Sequence, residues 1–128
     1  KISDNEVEFL FGTTDYDKGA ALLKEKYNIP LILITLGKDG SRAYYKDMKV
    51  EAAPFLQEKT IETTGAGDTF CGYFLAAACA HKSPQAALCE ASAAAALAVS
   101  RAGAAPSIPQ ADEVRTFLKK RMFLQQIE

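Results

Sequence analysis

The chain has 128 residues, 48% of them hydrophobic and 24% charged, with a formal net charge of -1. That length suits one domain with a real core, and the near-neutral charge without a clustered Lys/Arg stripe argues against nucleic acid as a partner. The longest apolar stretches, residues 70–80 and 91–99, fall well short of the ~20 residues that span a bilayer, and no signal-type N-terminus is present. A soluble, cytoplasmic protein with no membrane partner is the expectation.

The chain opens Lys1-Ile2-Ser3 without a methionine, as though cut from a longer chain at a strand. Residues 4–11 read as a short helix with Val7, Leu10 and Phe11 on one side and a stop at Gly12. Residues 15–27 form the next helix, with Ala20, Leu22, Leu23 and Tyr27 apolar among Lys and Glu. Pro30 ends the connection. The run Leu31-Ile32-Leu33-Ile34-Thr35-Leu36 is continuous and apolar, the pattern of a strand buried on both faces, which implies helices on both sides. Gly37-Lys38-Asp39-Gly40 is a turn, followed by two short antiparallel strands at residues 42–45 and 49–53.

Residues 69–81 read as a helix rich in small residues, with the sole histidine, His81, at its end as a terminator. Ser83 and Pro84 read as an N-cap and first helical position, and an Ala-rich helix continues over residues 85–100. The stretch 101–109, with Gly103, Pro106 and Pro109, terminates it. Residues 111–125 close the chain as an amphipathic helix with Val114, Phe117, Leu118 and Met122 inward, and Lys119-Lys120-Arg121 is a solvated helix end. Cys71, Cys79 and Cys89 are odd in number and lack CxxC spacing, so they read as buried free thiols.

The stretch most specific for chemistry is Thr63-Thr64-Gly65-Ala66-Gly67-Asp68-Thr69-Phe70. Two glycines flank an alanine just before an acid and an apolar run, a tight loop feeding a helix N-terminus. The N–H groups of Ala66, Gly67 and Asp68 would lack intrahelical partners and, with the positive end of the helix dipole, would attract a phosphate oxygen. The Asp68 carboxylate would stand beside that anion, placed to take a proton from a hydroxyl attacking the phosphate. An ordinary capped helix would show the same acid, because Asp is favoured near N-caps. The loop is neither a Walker A loop nor a dinucleotide fingerprint: no Lys-Ser/Thr follows the glycines and the third Gly is missing.

Glu62 through Phe70, with Gly72 beyond, resembles the signature of the ribokinase/fructokinase (phosphofructokinase B-type) family of carbohydrate kinases. The resemblance implies a ribokinase-like α/β fold: an open, mostly parallel sheet flanked by helices, of which this chain is the C-terminal part with a short β-hairpin. It also implies that Gly65, Ala66 and Gly67 form the anion hole and that Asp68 is the catalytic base toward the sugar hydroxyl. The family's Thr-Leu-Gly-x-x-Gly segment, which lines ribose and phosphates, is matched by Thr35, Leu36, Gly37, Lys38, Asp39 and Gly40. Ser92 stands where the family often has an Asn near adenine, but the residues themselves favour a helix serine facing a neighbour. Glu6 matches the acid of an Asn-x-x-Glu pattern that orders water and Mg2+ around phosphates, with Ser3 in place of the Asn. A first-turn acid favoured by the helix dipole is the plain alternative. A monovalent-cation site, K+, is implied at Glu62, Thr64, Ala98, Arg101, Gly103 and Ser107. Many family members carry Asp where Glu62 stands.

The resemblance runs through nearly all of the chain, in three blocks at residues 35–40, 62–72 and 101–109. The family's sugar-gripping Asp, its Gly-Gly-x-x-x-Asn segment and its β-sheet lid are not found. Residues 1–128 therefore resemble the C-terminal nucleotide-binding and catalytic portion of a sugar kinase, with the N-terminal sugar-binding half outside the chain as the missing partner. The implied activity is ATP-dependent phosphorylation of a sugar, most like fructokinase. Ribose and 2-keto-3-deoxygluconate remain open as substrates, as does a non-catalytic nucleotide-binding fragment that needs a partner half. A homodimer is compatible with this reading.

Overall fold

The apolar run beginning at Leu31 organises the first half of the molecule. In the computed structural model, which describes residues 1–55 and 60–127 and side chains up to residue 122, the chain divides into a first unit, Lys1–Pro54, and a second, Phe55–Glu128. The first unit holds strand β1 (Ile2–Ser3), helices α1 (Asp4–Phe11) and α2 (Tyr16–Tyr27), strand β2 (Leu31–Thr35), a 3-10 turn (Gly37–Asp39), and strands β3 (Ser41–Tyr45) and β4 (Met48–Ala52). The sheet is open, in the order β1-β2-β3-β4. Strand β1 runs parallel to β2, pairing Ile2 with Ile34, whereas β3 and β4 add antiparallel, with Leu33 opposite Ala43 and Ala43 opposite Val50. The ladder within this chain is thus mixed: a hairpin reverses direction, and only β1 reaches β2 through intervening helices.

Alternation along β2 explains its burial on both sides. Ile32, Ile34 and Leu36 join Val7 of α1 and Ala20 and Leu23 of α2 in one cluster, while Leu33 and Ala43 are buried on the opposite face. Helix α1 starts in a capping box: the Ser3 hydroxyl accepts the Glu6 N–H, and the Glu6 carboxylate accepts the Ser3 N–H at 2.7 Å. It stops at Gly12, in the left-handed region at φ 63°. Phe11 packs on the cluster, but Leu10, expected inward, is 57% exposed and Tyr27 is 58% exposed. Leu10 lies about 60° to one side of Val7 and Phe11 about 40° to the other, and the core meets only the Phe11 side. Beyond the sheet, Asp17 of α2 ties the helix to the hairpin. Its carboxylate accepts the Tyr44 hydroxyl and pairs with Arg42 at 3.2 Å and Lys49 at 2.9 Å. These bonds, Tyr44 first, hold its carboxyl below the usual range.

The second unit is helical. It comprises α3 (Ala66–Cys79), α4 (Pro84–Val99), a 3-10 turn (Ala105–Ser107) and α5 (Ala111–Ile127). Alanines let α3 and α4 approach closely, and Ala87, Leu88, Ala91, Ala93, Ala94 and Ala98 of α4 are all buried. Ser83 caps α4 by accepting the Ala86 N–H, with Pro84 as its first residue. On the α5 side, Val114, Phe117 and Leu118 pack against Ala93, Ala94 and Leu97, and Phe117 meets Phe55 edge-on at 5.6 Å. Met122, expected inward, is 61% exposed because the partners on α4 reach only as far as Phe117 and Leu118. Of the cysteines, Cys71 and Cys89 are half-buried and Cys79 is exposed. The expectation of burial fails at Cys79, which lies on the side of α3 opposite the buried Phe70 and Ala77. Among the described residues no helix is long and apolar enough to cross a membrane.

Two backbone positions generate stability predictions. Gly40 sits at φ 95°, and a Cβ there would stand 2.2 Å from the Ala52 carbonyl oxygen, a backbone atom. Gly40→Ala should cost about 2–4 kcal/mol in urea unfolding, and a change below about 1 kcal/mol would contradict the clash. His81 ends α3 at φ 58°, and the following Lys82 N–H donates to Ala77 O at 3.1 Å, so it occupies a position that glycine adopts without strain. His81→Gly should raise stability by about 0.5–1 kcal/mol, seen as a higher urea midpoint at unchanged m-value.

Candidate active site

The N-terminus of α3 is the chemically distinctive part of the second unit. Gly65, at φ 81°, turns the chain into the helix and offers no side-chain cap. The Ala66 N–H donates to Thr63 O at 3.2 Å and the Thr69 N–H to Gly65 O at 2.9 Å. Sequence reasoning gave an anion three N–H donors; the turn uses that of Ala66, which leaves Gly67 and Asp68 as the first-turn pair. Asp68 is exposed, and its carboxylate has no hydrogen bond or ion pair among the described residues. Two N–H groups, the positive end of a 14-residue helix and a free carboxylate thus stand within one turn. That combination attracts an anion and can receive a proton next to it.

The loop before α3 is fastened to the far end of α4. The N–H groups of Ile61 and Glu62 both reach Val99 O, at 2.8 and 3.3 Å. The Glu62 carboxylate accepts the Gly103 N–H at 2.8 Å, 41 residues away. Gly103 and then Thr64 hold the Glu62 carboxyl below its ordinary range. Gly65 itself lies against Ala104, where an added Cβ would be 3.4 Å from the Ala104 Cα. The facing loop is fixed in turn: buried Ser107 donates to Ala104 O at 2.6 Å, and Arg101 pairs with Glu113 of α5 at 2.7 Å. Two glycine turns are therefore clamped together, with the open end of α3 beside them.

The model of the pfkB family of carbohydrate kinases matches residues 1–111. The chain belongs to that family. Fructokinase-2 of Solanum lycopersicum is 36% identical over 126 residues, 93% of this chain and 38% of that protein. The fructokinase of Klebsiella pneumoniae is 34% identical over 124 residues, 92% of this chain and 40% of that protein. Among solved structures, an Arabidopsis thaliana ribokinase complexed with ribose and ATP superposes with a TM-score of 0.81 at 29% identity, covering 93% of this chain and 41% of that one. A Vibrio cholerae fructokinase in fructose-, ADP- and calcium-bound form gives 0.78 at 30% identity, covering 91% and 39%. The ribokinase-like fold is thereby established, and the chain spans about two fifths of the length of these relatives.

For a pfkB-family chain, the remaining expected site residues fall into four groups. Thr35, Leu36, Gly37, Lys38, Asp39 and Gly40 lie in the first unit, at the end of β2. There the Leu36 N–H donates to Gly40 O at 2.8 Å and closes the turn, Leu36 is buried, and Gly37, Lys38 and Asp39 are exposed. Glu6 carries out the capping-box role of α1, and its carboxyl is held low by the Ser3 N–H. Ser92 is half-buried on α4 and already has an interaction there. Of the six residues expected around K+, Glu62 and Gly103 meet through the hydrogen bond between carboxylate and N–H, and Thr64 lies near the same carboxylate. Ala98 O accepts the Arg101 N–H at 3.2 Å, and Ser107 is engaged by Ala104. Among the described residues no cluster of three or more His, Cys, Asp or Glu side chains forms a metal site.

Sequence reasoning missed two features of this site. The Glu62–Gly103 bond has no local signal, since nothing in the spacing pairs an acid with a glycine 41 residues on. Thr69 is 3% exposed and its hydroxyl is buried without a partner among the described residues. Its place immediately after Asp68 was visible; its burial was not. An unpaired buried hydroxyl costs about 1–3 kcal/mol, so Thr69→Val should leave the urea midpoint unchanged or higher. A loss of more than about 1 kcal/mol would mean that the hydroxyl is hydrogen-bonded in solution.

Proposed function

We propose that the protein transfers the γ-phosphoryl group of ATP to a hydroxyl of a sugar, with D-fructose as the first substrate to test. The observation that carries this reading is the free Asp68 carboxylate in the same helical turn as the uncapped N–H groups of Gly67 and Asp68. The family membership supports the reaction class, and the fructokinases among the relatives support fructose. Ribose remains the second substrate to assay, because a relative of known structure holds ribose and ATP.

In this mechanism Asp68 accepts the proton of the attacking sugar hydroxyl as the oxygen closes on phosphorus. The Gly67 and Asp68 N–H groups, aided by the α3 dipole, hold the oxygens on which negative charge is concentrated. Gly65 contributes by shape, since its positive φ turns the chain away and leaves the helix end open. Mg2+ bound to ATP would neutralise phosphate charge. The Glu6 carboxylate, engaged by Ser3, is not assigned as its ligand. The Thr35-Leu36-Gly37-Lys38-Asp39-Gly40 turn is proposed as a further nucleotide contact on the strength of the motif, and Ser92 as a residue near adenine.

Residues 1–128 are proposed to be the nucleotide-binding and catalytic portion of the enzyme, with sugar recognition supplied by sequence outside this chain. The 38% share of the relatives' length also favours a second reading, a portion that binds nucleotide and turns over only with that remainder.

Replacing the base without changing its shape separates chemistry from binding. Asp68→Asn should lower kcat by at least ~100-fold while ADP binding, followed by calorimetry, changes by less than about 3-fold. Full activity in Asp68→Asn would remove Asp68 from the mechanism.

A further inference from the structure

Between α4 and α5 the chain makes a loop, residues 101–110, whose two ends meet on one carboxylate. Oε1 of Glu113 accepts from Nη2 of Arg101 at 2.7 Å, and Oε2 accepts from Nη1 at 3.4 Å. Oε2 also accepts the Gln110 N–H at 2.6 Å. Gln110 immediately precedes α5, and its own carbonyl accepts the Glu113 and Val114 N–H groups at 3.0 and 3.2 Å. Glu113 is therefore the side-chain half of a helix cap that has also captured an arginine from the far end of the loop. Arg101 first, and then the Gln110 N–H, hold its carboxyl below the ordinary range.

An exposed ion pair by itself adds little to stability, because two long side chains must be ordered to form it. Here one partner is ordered beforehand. The Gln110 N–H fixes Oε2, and the buried Val114 anchors the turn of α5 on which Glu113 stands. A guanidinium that meets a carboxylate already in place makes directional, charge-assisted bonds, so what the pair supplies is position. The loop that it closes carries the groups next to the phosphoryl site. Gly103 donates to the Glu62 carboxylate, Ala104 lies against Gly65, and the Ser107 hydroxyl, fully buried, donates to Ala104 O at 2.6 Å. Farther on, Pro109 O accepts the hydroxyl of Tyr73 on α3.

We propose that Glu113 is a positioning residue for phosphoryl transfer: by closing the loop 101–110 at both ends, it holds Ala104 against Gly65 and fixes the N-terminus of α3 relative to the transferring group. The consequence in rate rests on the kinase reading; the closure of the loop does not. Glu113 touches no substrate in this scheme. It acts through Arg101, Ala104 and Gly65.

The test has a kinetic arm and a structural arm. Phosphotransfer to fructose and ribose is measured in one potassium buffer, on protein that includes the sequence outside this chain. Wild type is compared with Glu113→Gln, Arg101→Gln and the double variant. Arg115→Gln serves as the control, since it breaks only an exposed pair with Asp112 within α5. Amide hydrogen exchange at Gly103 and Ser107 is followed by NMR in the same proteins without substrates. Glu113→Gln should lose about 5-fold or more in kcat, with the KM for ATP within about 3-fold and the urea midpoint within about 0.5 M of wild type. Arg101→Gln should behave alike, and the double variant should lose no more than about 2-fold beyond either single change, because both remove the same contact. Exchange at Gly103 and Ser107 should quicken about 5-fold or more in Glu113→Gln, whereas Arg115→Gln should match wild type throughout. A kcat in Glu113→Gln within about 2-fold of wild type, losses that multiply in the double variant, an equal loss in Arg115→Gln, or unchanged exchange would each overturn the proposal. If the wild type phosphorylates neither sugar, the kinase reading falls, and the exchange rates still decide whether Glu113 closes the loop.

Discussion

The unsatisfied end of α3 is useful only because the backbone leading into it is held still. A helix N-terminus has an attractive field wherever it lies, but a field aimed at a moving target stabilises nothing in particular. Here Val99 O receives two N–H groups from residues 61 and 62, and the Glu62 carboxylate receives a third from Gly103. These bonds join the segment leading into α3 to the last residue of α4 and to the loop after it. Everything proposed for Asp68 depends on them, because its carboxylate has no partner of its own among the described residues to hold it.

The packing beneath serves the same end. Small side chains on α3 and α4 bring the two helices close, and buried alanines leave little volume for rearrangement. Arg101 then ties the loop after α4 to Glu113 of α5, and Ser107 locks the turn from inside. In the first unit, a different logic gives a comparable result at the other motif. Gly40 admits the Ala52 carbonyl where any side chain would clash, so the turn after β2 is shaped by the hairpin that follows it.

Much of this was legible in the sequence, for identifiable reasons. The β-branched and leucine run at residues 31–36 has one good solution, a strand buried on both faces, and Asp4–Phe11 was bounded by its own capping residues, Ser3 and Gly12. The Gly65-Ala66-Gly67-Asp68 turn announced a helix start, and the family motif carried over to it. Side-chain exposure was less legible. Leu10, Tyr27 and Met122 have the right spacing for a core face, yet periodicity cannot say how far the neighbouring element extends. The donors of the anion site were over-counted by one because the Ala66 N–H closes its own turn. The bond from the Gly103 N–H to the Glu62 carboxylate was not legible at all, because only the tertiary structure brings residues 41 positions apart together.

The central claim is that this fold presents a phosphoryl-transfer site to a sugar hydroxyl. Its most direct test is the rate of ADP formation from Mg-ATP with and without fructose, with the sugar phosphate identified by NMR. The account predicts ADP and fructose phosphate in equal amounts, with ADP formation negligible when sugar is withheld. ADP formation that proceeds at the same rate without any sugar, or no formation with a panel of sugars when the sequence outside this chain is present and ADP binding is measurable, would contradict it.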